Sequence, residues 1–129
     1  MSIDNTEVIR QGYDAHARRD FAAIFATLHP EVEFVQTDLV PWGGSHHGHE
    51  GVREFFGKLN ARIETQVVPE EYVEAGEQVA VLGHIQGKVR ATGHEFTLRI
   101  VHIWTVRDGL VTRFEAYIDT PAMLRALAA

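Results

Sequence analysis

Beyond about Gln66 the apolar residues stop recurring every three to four positions and begin to alternate. This change of period constrains the fold more than any other feature of the chain. Strand-like runs at 66–74, 78–90, 94–106 and 110–119 follow one another. They are separated by Ala75-Gly76-Glu77, Ala91-Thr92-Gly93 and Arg107-Asp108-Gly109. Connections that short join neighbouring strands as antiparallel hairpins.

The half before Gln66 is mostly helical in spacing. A first helix begins near Asp4, where Asp4-x-x-Glu7 has the form of a capping box, and carries Ile9, Tyr13, His16 and Ala17 on one face. A second holds Phe21, Ile24, Phe25 and Leu28 and is closed by Pro30. Glu31 to Asp38 then alternates as a strand, with Val32, Phe34, Gln36 and Asp38 on one face. A third helix follows with Val52, Phe55, Phe56, Leu59 and Ile63. The last starts at Thr120-Pro121, a cap with proline in the first helical position, and runs through Met123, Leu124 and Leu127. The order predicts an α+β fold, with helices laid on one face of a curved antiparallel sheet. At 129 residues the expectation is a single domain over 1–129.

The segment Phe96 to Val106 is apolar on both parities, with Phe96, Leu98, Ile100, Trp104 and Val106 set against Val101 and Ile103. Such a strand calls for cover on both faces. Helices supply one cover, and a homodimer through the sheet is the expected source of the other. The 12 basic and 18 acidic side chains leave a net charge of -6, which argues against nucleic acid or an anionic membrane as partner. The absence of cysteine removes thiol catalysis and sulfur-ligated zinc. No apolar run approaches the roughly 18 residues of a membrane span, and the start MSIDNTEVIRQ lacks a signal-peptide core, so a cytoplasmic protein is expected.

Two stretches carry a resemblance. One runs Tyr13-x-Ala15, Arg19-Asp20-Phe21 and Leu28-His29-Pro30-Glu31-Val32-Glu33-Phe34, then Gly48-His49-Glu50-Gly51-Val52-Arg53-Glu54-Phe55-Phe56. The other is Val101 to Thr120, VHIWTVRDGLVTRFEAYIDT. The chain thereby resembles the SnoaL-like group of the nuclear-transport-factor-2-like superfamily, over nearly its whole length. The resemblance implies a cone-shaped (cystatin-like) fold, with three N-terminal helices and a short C-terminal helix around a deep, largely apolar pocket. It says little of activity, since the superfamily holds ketosteroid isomerases, polyketide cyclases, other enzymes and proteins that only bind.

What the resemblance implies for the site falls first on His102, which matches the position of the acidic donor in ketosteroid isomerases. Imidazole suits general acid–base work near neutral pH, and a place between Ile100 and Trp104 would keep it neutral by desolvation. Gln36 falls where those isomerases have a proton-shuttling aspartate, and an amide cannot take that proton. Asp38, two residues on, is the alternative base. Glu115 depends on register. A two-residue Asp108-Gly109 turn puts it opposite His102. A three-residue turn puts Phe114 there, brings Ala116 to the pocket face and turns Glu115 away. Relatives often carry an acid at the Ala116 position. Tyr13 is expected to orient a ligand, Trp42 and Trp104 to form pocket lid and wall, and His84 on the neighbouring strand is held in reserve.

The stretch Pro41 to Gly51, PWGGSHHGHEG, has three histidines within four residues. A zinc site needs about three ligands converging on one point. His46 and His47 are adjacent and diverge in extended backbone, while His49 starts a helix whose free N–H groups favour anions. The spacing argues against a metal site, and the resemblance implies that the glycine-rich stretch is the rim of the pocket. The sequence as a whole predicts a pocket for a small apolar organic ligand. It predicts acid–base chemistry on a carbonyl compound, of isomerase or cyclase type, with no cofactor. His102 would be the donor, and Asp38 or Glu115 the base. The alternative is a binding or interaction domain that uses the same pocket without turnover.

Overall fold

The structure is a computed structural model and describes residues 4–129. In chain order its elements are α1 (Asn5–Ala17), α2 (Phe21–Ala26), β1 (Leu28–Gln36), β2 (Gly44–His47), α3 (Gly48–Arg62), β3 (Ile63–Ala75), β4 (Gln78–Val89), β5 (Glu95–Arg107), β6 (Leu110–Ile118) and α4 (Thr120–Ala128). Side-chain caps start three of the four helices. The carboxylates of Asp4, Asp20 and Asp119 accept from the backbone N–H of Thr6, Ala23 and Ala122, each cap being worth about 1 kcal/mol. The cap of α4 is thus Asp119, one residue before the expected Thr120.

The six strands form one sheet in the order β2-β1-β6-β5-β4-β3. It is antiparallel except for one pair: β1 runs parallel to β6, with Phe34 beside Phe114 and Gln36 beside Ala116. The wholly antiparallel sheet expected from the hairpins therefore becomes a mixed one. The reason is that β1 arrives from the helical half and adds to the edge of the last hairpin. Two apolar residues assigned to helix ends, Leu28 and Ile63, instead open β1 and β3. Their burial is used, but in extended backbone.

Alternation decides which side of the sheet meets the helices. Val32, Phe34 and Gln36 of β1, Val79, Val81 and Ile85 of β4, and Phe96, Leu98, Ile100 and His102 of β5 all point inward and are buried. The helices supply Ile9, Val52, Phe55 and Met123 to the same core. The opposite face of β5 is more open, with Val101 36% exposed and Tyr117 beside it on β6 56% exposed. Among the described residues no helix is long and apolar enough to cross a membrane.

Candidate functional site

Between the concave sheet face and the helices lies a cavity of about 110 Å³. Its wall is mostly aromatic and aliphatic, including Phe34, Phe55, Phe114, Ile85 and Met123. Trp104 packs on Phe114 at 4.3 Å between ring centroids, and His102 meets the same ring edge-on at 4.9 Å. The polar members are Tyr13, His16, Thr27, Gln36, Thr65, His102 and the indole of Trp104. Among the described residues no Asp, Glu, Lys or Arg lines the cavity.

Three of these side chains form a one-way relay. The Trp104 indole N–H donates to the Tyr13 hydroxyl oxygen at 2.9 Å, and that hydroxyl lies 2.7 Å from Nδ1 of His102. An indole nitrogen only donates, so the tyrosine oxygen accepts there. Nδ1 of His102 is the only acceptor within reach of the hydroxyl proton among the described residues, so the tautomer that leaves no donor idle here is the one in which Tyr13 donates to Nδ1. A neutral imidazole that accepts at Nδ1 carries its proton at Nε2. That Nε2–H has no protein hydrogen-bond partner among the described residues, on a ring that lines the cavity.

The electrostatics keep the relay neutral. Burial pushes His102 down to about 3, and the nearby His16 pushes in the same direction. Burial likewise raises the Tyr13 phenol far above its usual range, only partly opposed by the Trp104 hydrogen bond. His16 is lowered to about 4, first by burial and then by Arg19. The Arg19 guanidinium stands 3.2 Å from Nε2 of His16 and also donates to the Thr65 carbonyl at 2.7 Å. His16 therefore accepts from Arg19 as a neutral ring, and its lone pair is occupied.

Five of the eight expected site residues, Tyr13, Gln36, Trp42, His102 and Trp104, meet in this cavity. Trp42 is only 1% exposed and forms part of the cavity wall in this structure. The other three lie elsewhere. β1 ends at Gln36, and Asp38 sits exposed in the turn that follows. His84 points to the outer face of β4, 3.0 Å from the Glu70 carboxylate. Glu115 faces outward opposite Ile103, between Arg113 and the Tyr117 hydroxyl, which donates to it at 2.8 Å.

The register that decides Glu115 combines features of both expected turns. Asp108 and Gly109 form a two-residue turn with φ of 52° and 78°, so Arg107 pairs with Leu110. The pairing then slips by one residue between Val106–Val111 and Thr105–Arg113. This bulge brings Ala116, neither Glu115 nor Phe114, opposite His102. His16 is a cavity residue that the sequence reading placed on the helix face without giving it a role. Its place one turn beyond Tyr13 was the available signal.

The histidine-rich stretch is ordered into short strand β2, not an open rim. It pairs with β1 through Phe34–His46 and Glu33–His47. The three rings go three ways. His46 is buried against the carbonyls of Trp42 and Gly43, each at 3.2 Å. His47 pairs with Glu31 at 2.9 Å, and His49 reaches the Leu28 carbonyl at 3.1 Å.

A SnoaL-like domain model matches residues 9–114. Among solved structures, a nuclear-transport-factor-2-like protein of unknown function from Burkholderia pseudomallei is 33% identical, with a TM-score of 0.91 over 97% of this chain and 98% of that one. TerC, co-crystallised with polyporic acid, is also 33% identical, with a TM-score of 0.89 over the same shares. A third protein of this fold, from Burkholderia xenovorans, is 30% identical over 98% of both chains, with a TM-score of 0.86. No curated protein matches this chain.

Proposed function

The chain belongs to the SnoaL-like family, and on that premise we propose that its cavity binds a small, largely apolar carbonyl compound and promotes its enolisation. Enolisation is the step shared by isomerases and aldol-type cyclases. One observation carries this reading: the one-way relay from Trp104 through Tyr13 ends in a neutral His102 whose Nε2–H is free in an apolar cavity. A fixed donor on an apolar wall favours an oxygen that gains negative charge, because few other protein dipoles screen the interaction. Neutrality supports the role, since a neutral imidazole keeps its Nε2–H as a donor without placing an unpaired charge in the apolar cavity. The carbonyl oxygen accepts from Nε2–H and solvent water takes the α-proton. Asp38 and Glu115 stand outside the cavity and have no part in this step. No cofactor is required. That TerC was crystallised with an organic acid is in keeping with a small-molecule pocket.

A second reading, binding without turnover, is favoured by the absence of any carboxylate on the cavity wall among the described residues. Cyclohexanone in D2O separates the two. Enolisation predicts that wild-type protein accelerates α-hydrogen exchange, read by proton NMR, and that His102→Phe loses most of the acceleration. Binding that perturbs His102 with no added exchange selects the binder. Cyclohexanone that fails to bind at millimolar concentration, or binds equally well to His102→Phe, refutes both. The reading also takes a second copy of the chain as partner, through the outer face bearing Val101 and Tyr117. Sedimentation at micromolar concentration should give a dimer that Val101→Glu dissociates, and a wild-type monomer would reject it.

A further inference from the structure

Gln36 is a polar side chain, 6% exposed, that lines the cavity, and its amide is paired to no other side chain among the described residues. Its amide is not sealed into the core, since no buried side-chain N or O lacks a partner among the described residues, so the amide is left open to a partner in the cavity. The sheet register says where this one stands. Gln36 pairs with Ala116 across the parallel β1–β6 ladder, and Ala116 pairs with His102 across β6–β5. The three form a transverse row on the concave face, and all three line the cavity. Neighbouring strands are about 4.8 Å apart, so the row spans about 10 Å from Gln36 to His102. Between them stands Ala116, a single methyl, which leaves the floor open.

We propose that this row reads a ligand at two points: His102 takes a carbonyl oxygen, and Gln36 takes a hydroxyl on the opposite side of the same small molecule. This assignment rests on the carbonyl-binding role given above to His102 and adds to it the class of compound, a hydroxy-ketone of about one ring. The relay end is a donor only, and a carbonyl oxygen is an acceptor with no proton of its own to place. An amide offers both a donor and an acceptor. It therefore satisfies a hydroxyl whichever way its oxygen and nitrogen are turned. The size follows from the cavity. Its 110 Å³ is of the same order as the roughly 150 Å³ of an apolar cavity that takes benzene, which sets one small ring as the upper limit and requires the walls to give slightly around it. Discrimination follows as well. A ligand lacking the hydroxyl leaves the Gln36 amide buried and unpaired, which is where polar sites reject analogues most strongly.

The test compares two neutral probes, cyclohexanone and 4-hydroxycyclohexanone, titrated by NMR into wild-type protein, Gln36→Leu and Gln36→Met. In wild type the hydroxy-ketone should bind about tenfold more tightly, the worth of one additional buried hydrogen bond. In both variants the ratio of the two dissociation constants should fall to about one. The two replacements differ in shape, and a thermal melt confirms that each is folded, so loss of the ratio in both is not a packing artefact. A ratio near one in wild type, or a tenfold ratio that survives in either folded variant, overturns the role of Gln36. In those outcomes the His102 reading stands as long as cyclohexanone itself binds and needs His102. If neither probe binds wild type, both fall together.

Discussion

Lowering the pH from 7.5 to 5.0 should destabilise this protein by about 4 kcal/mol, and His102 should account for half of that. The ring faces Tyr13, Trp104 and Phe114, with His16 nearby and no cavity carboxylate to balance a charge. Its folded pKa of about 3 lies below the 6.5 of an unfolded histidine. A depressed value means that the unfolded chain binds the extra proton. Stability is then complete above pH 6.5 and is lost as the pH falls from 6.5 towards 3. At pH 5.0 the unfolded ring has gained about 1.5 pH units of proton binding, or about 2 kcal/mol, while the folded ring remains neutral. His16, lowered to about 4, adds a similar amount. Urea unfolding at the two pH values measures the loss directly. With a slope of about 2 kcal/mol per molar urea, the His102 share appears as a midpoint shift of about 1 M. His102→Gln keeps an acceptor for the Tyr13 hydroxyl but cannot be protonated, so its own loss between the two pH values should be about 2 kcal/mol smaller. Equal losses in the two proteins would mean that His102 takes up its proton in the folded state, and the neutral-relay argument would be refuted.

The relay also predicts which nitrogen of His102 carries the proton. Nitrogen-15 NMR of histidine-labelled wild type should report Nε2 protonated and Nδ1 bare. Trp104→Phe removes the indole donor and lets the Tyr13 hydroxyl turn, so that the Nδ1–H tautomer competes and the two resonances should move towards each other, with a stability loss on the order of 2 kcal/mol. A protonated Nδ1 in wild type would contradict the donor count. At the cavity wall, a Cβ at Gly43 would collide with the Thr37 carbonyl, while the Gly43 N–H closes the turn onto the Val40 carbonyl at 3.0 Å. Gly43→Ala should therefore cost about 3 kcal/mol in chemical denaturation and expose Trp42 to fluorescence quenchers. An unchanged midpoint would show that the turn relaxes freely.

Much of this was legible in the chain because it rests on local rules. Alternation placed Phe34, Gln36, His102 and Trp104 on one face, and that face is the cavity. The Asp108-Gly109 pair marked the turn, and its two-residue form was one of the two readings left open. What escaped depends on contacts distant in sequence. The bulge that swaps Ala116 for Glu115 opposite His102 lies past the turn, where nothing in Thr112 or Arg113 announces a slip. Burial of Leu28 and Ile63 was evident, but the choice between helix end and strand start was made by the β6 and β4 partners. The Pro41 to His47 stretch reads as loop from its glycines, and it becomes a strand because β1 offers it an edge. Asp38 was placed by continuing an alternation that stops at Gln36.

The parallel pairing of β1 with β6 fixes an order of events during synthesis. Of these six strands β6 is the last to leave the ribosome, yet it stands between β1 and β5 in the finished sheet. The β3-β4-β5 hairpins can zip as they emerge, because their partners are near in sequence. β1 and β2 wait with an unpaired edge until Leu110–Ile118 arrives to receive them. Closing so long a loop is slow, and an edge left open meanwhile is a place for a second nascent chain to add. The row of Gln36, Ala116 and His102 exists only when β6 stands between β1 and β5, so any recognition by that row requires all three strands to be joined.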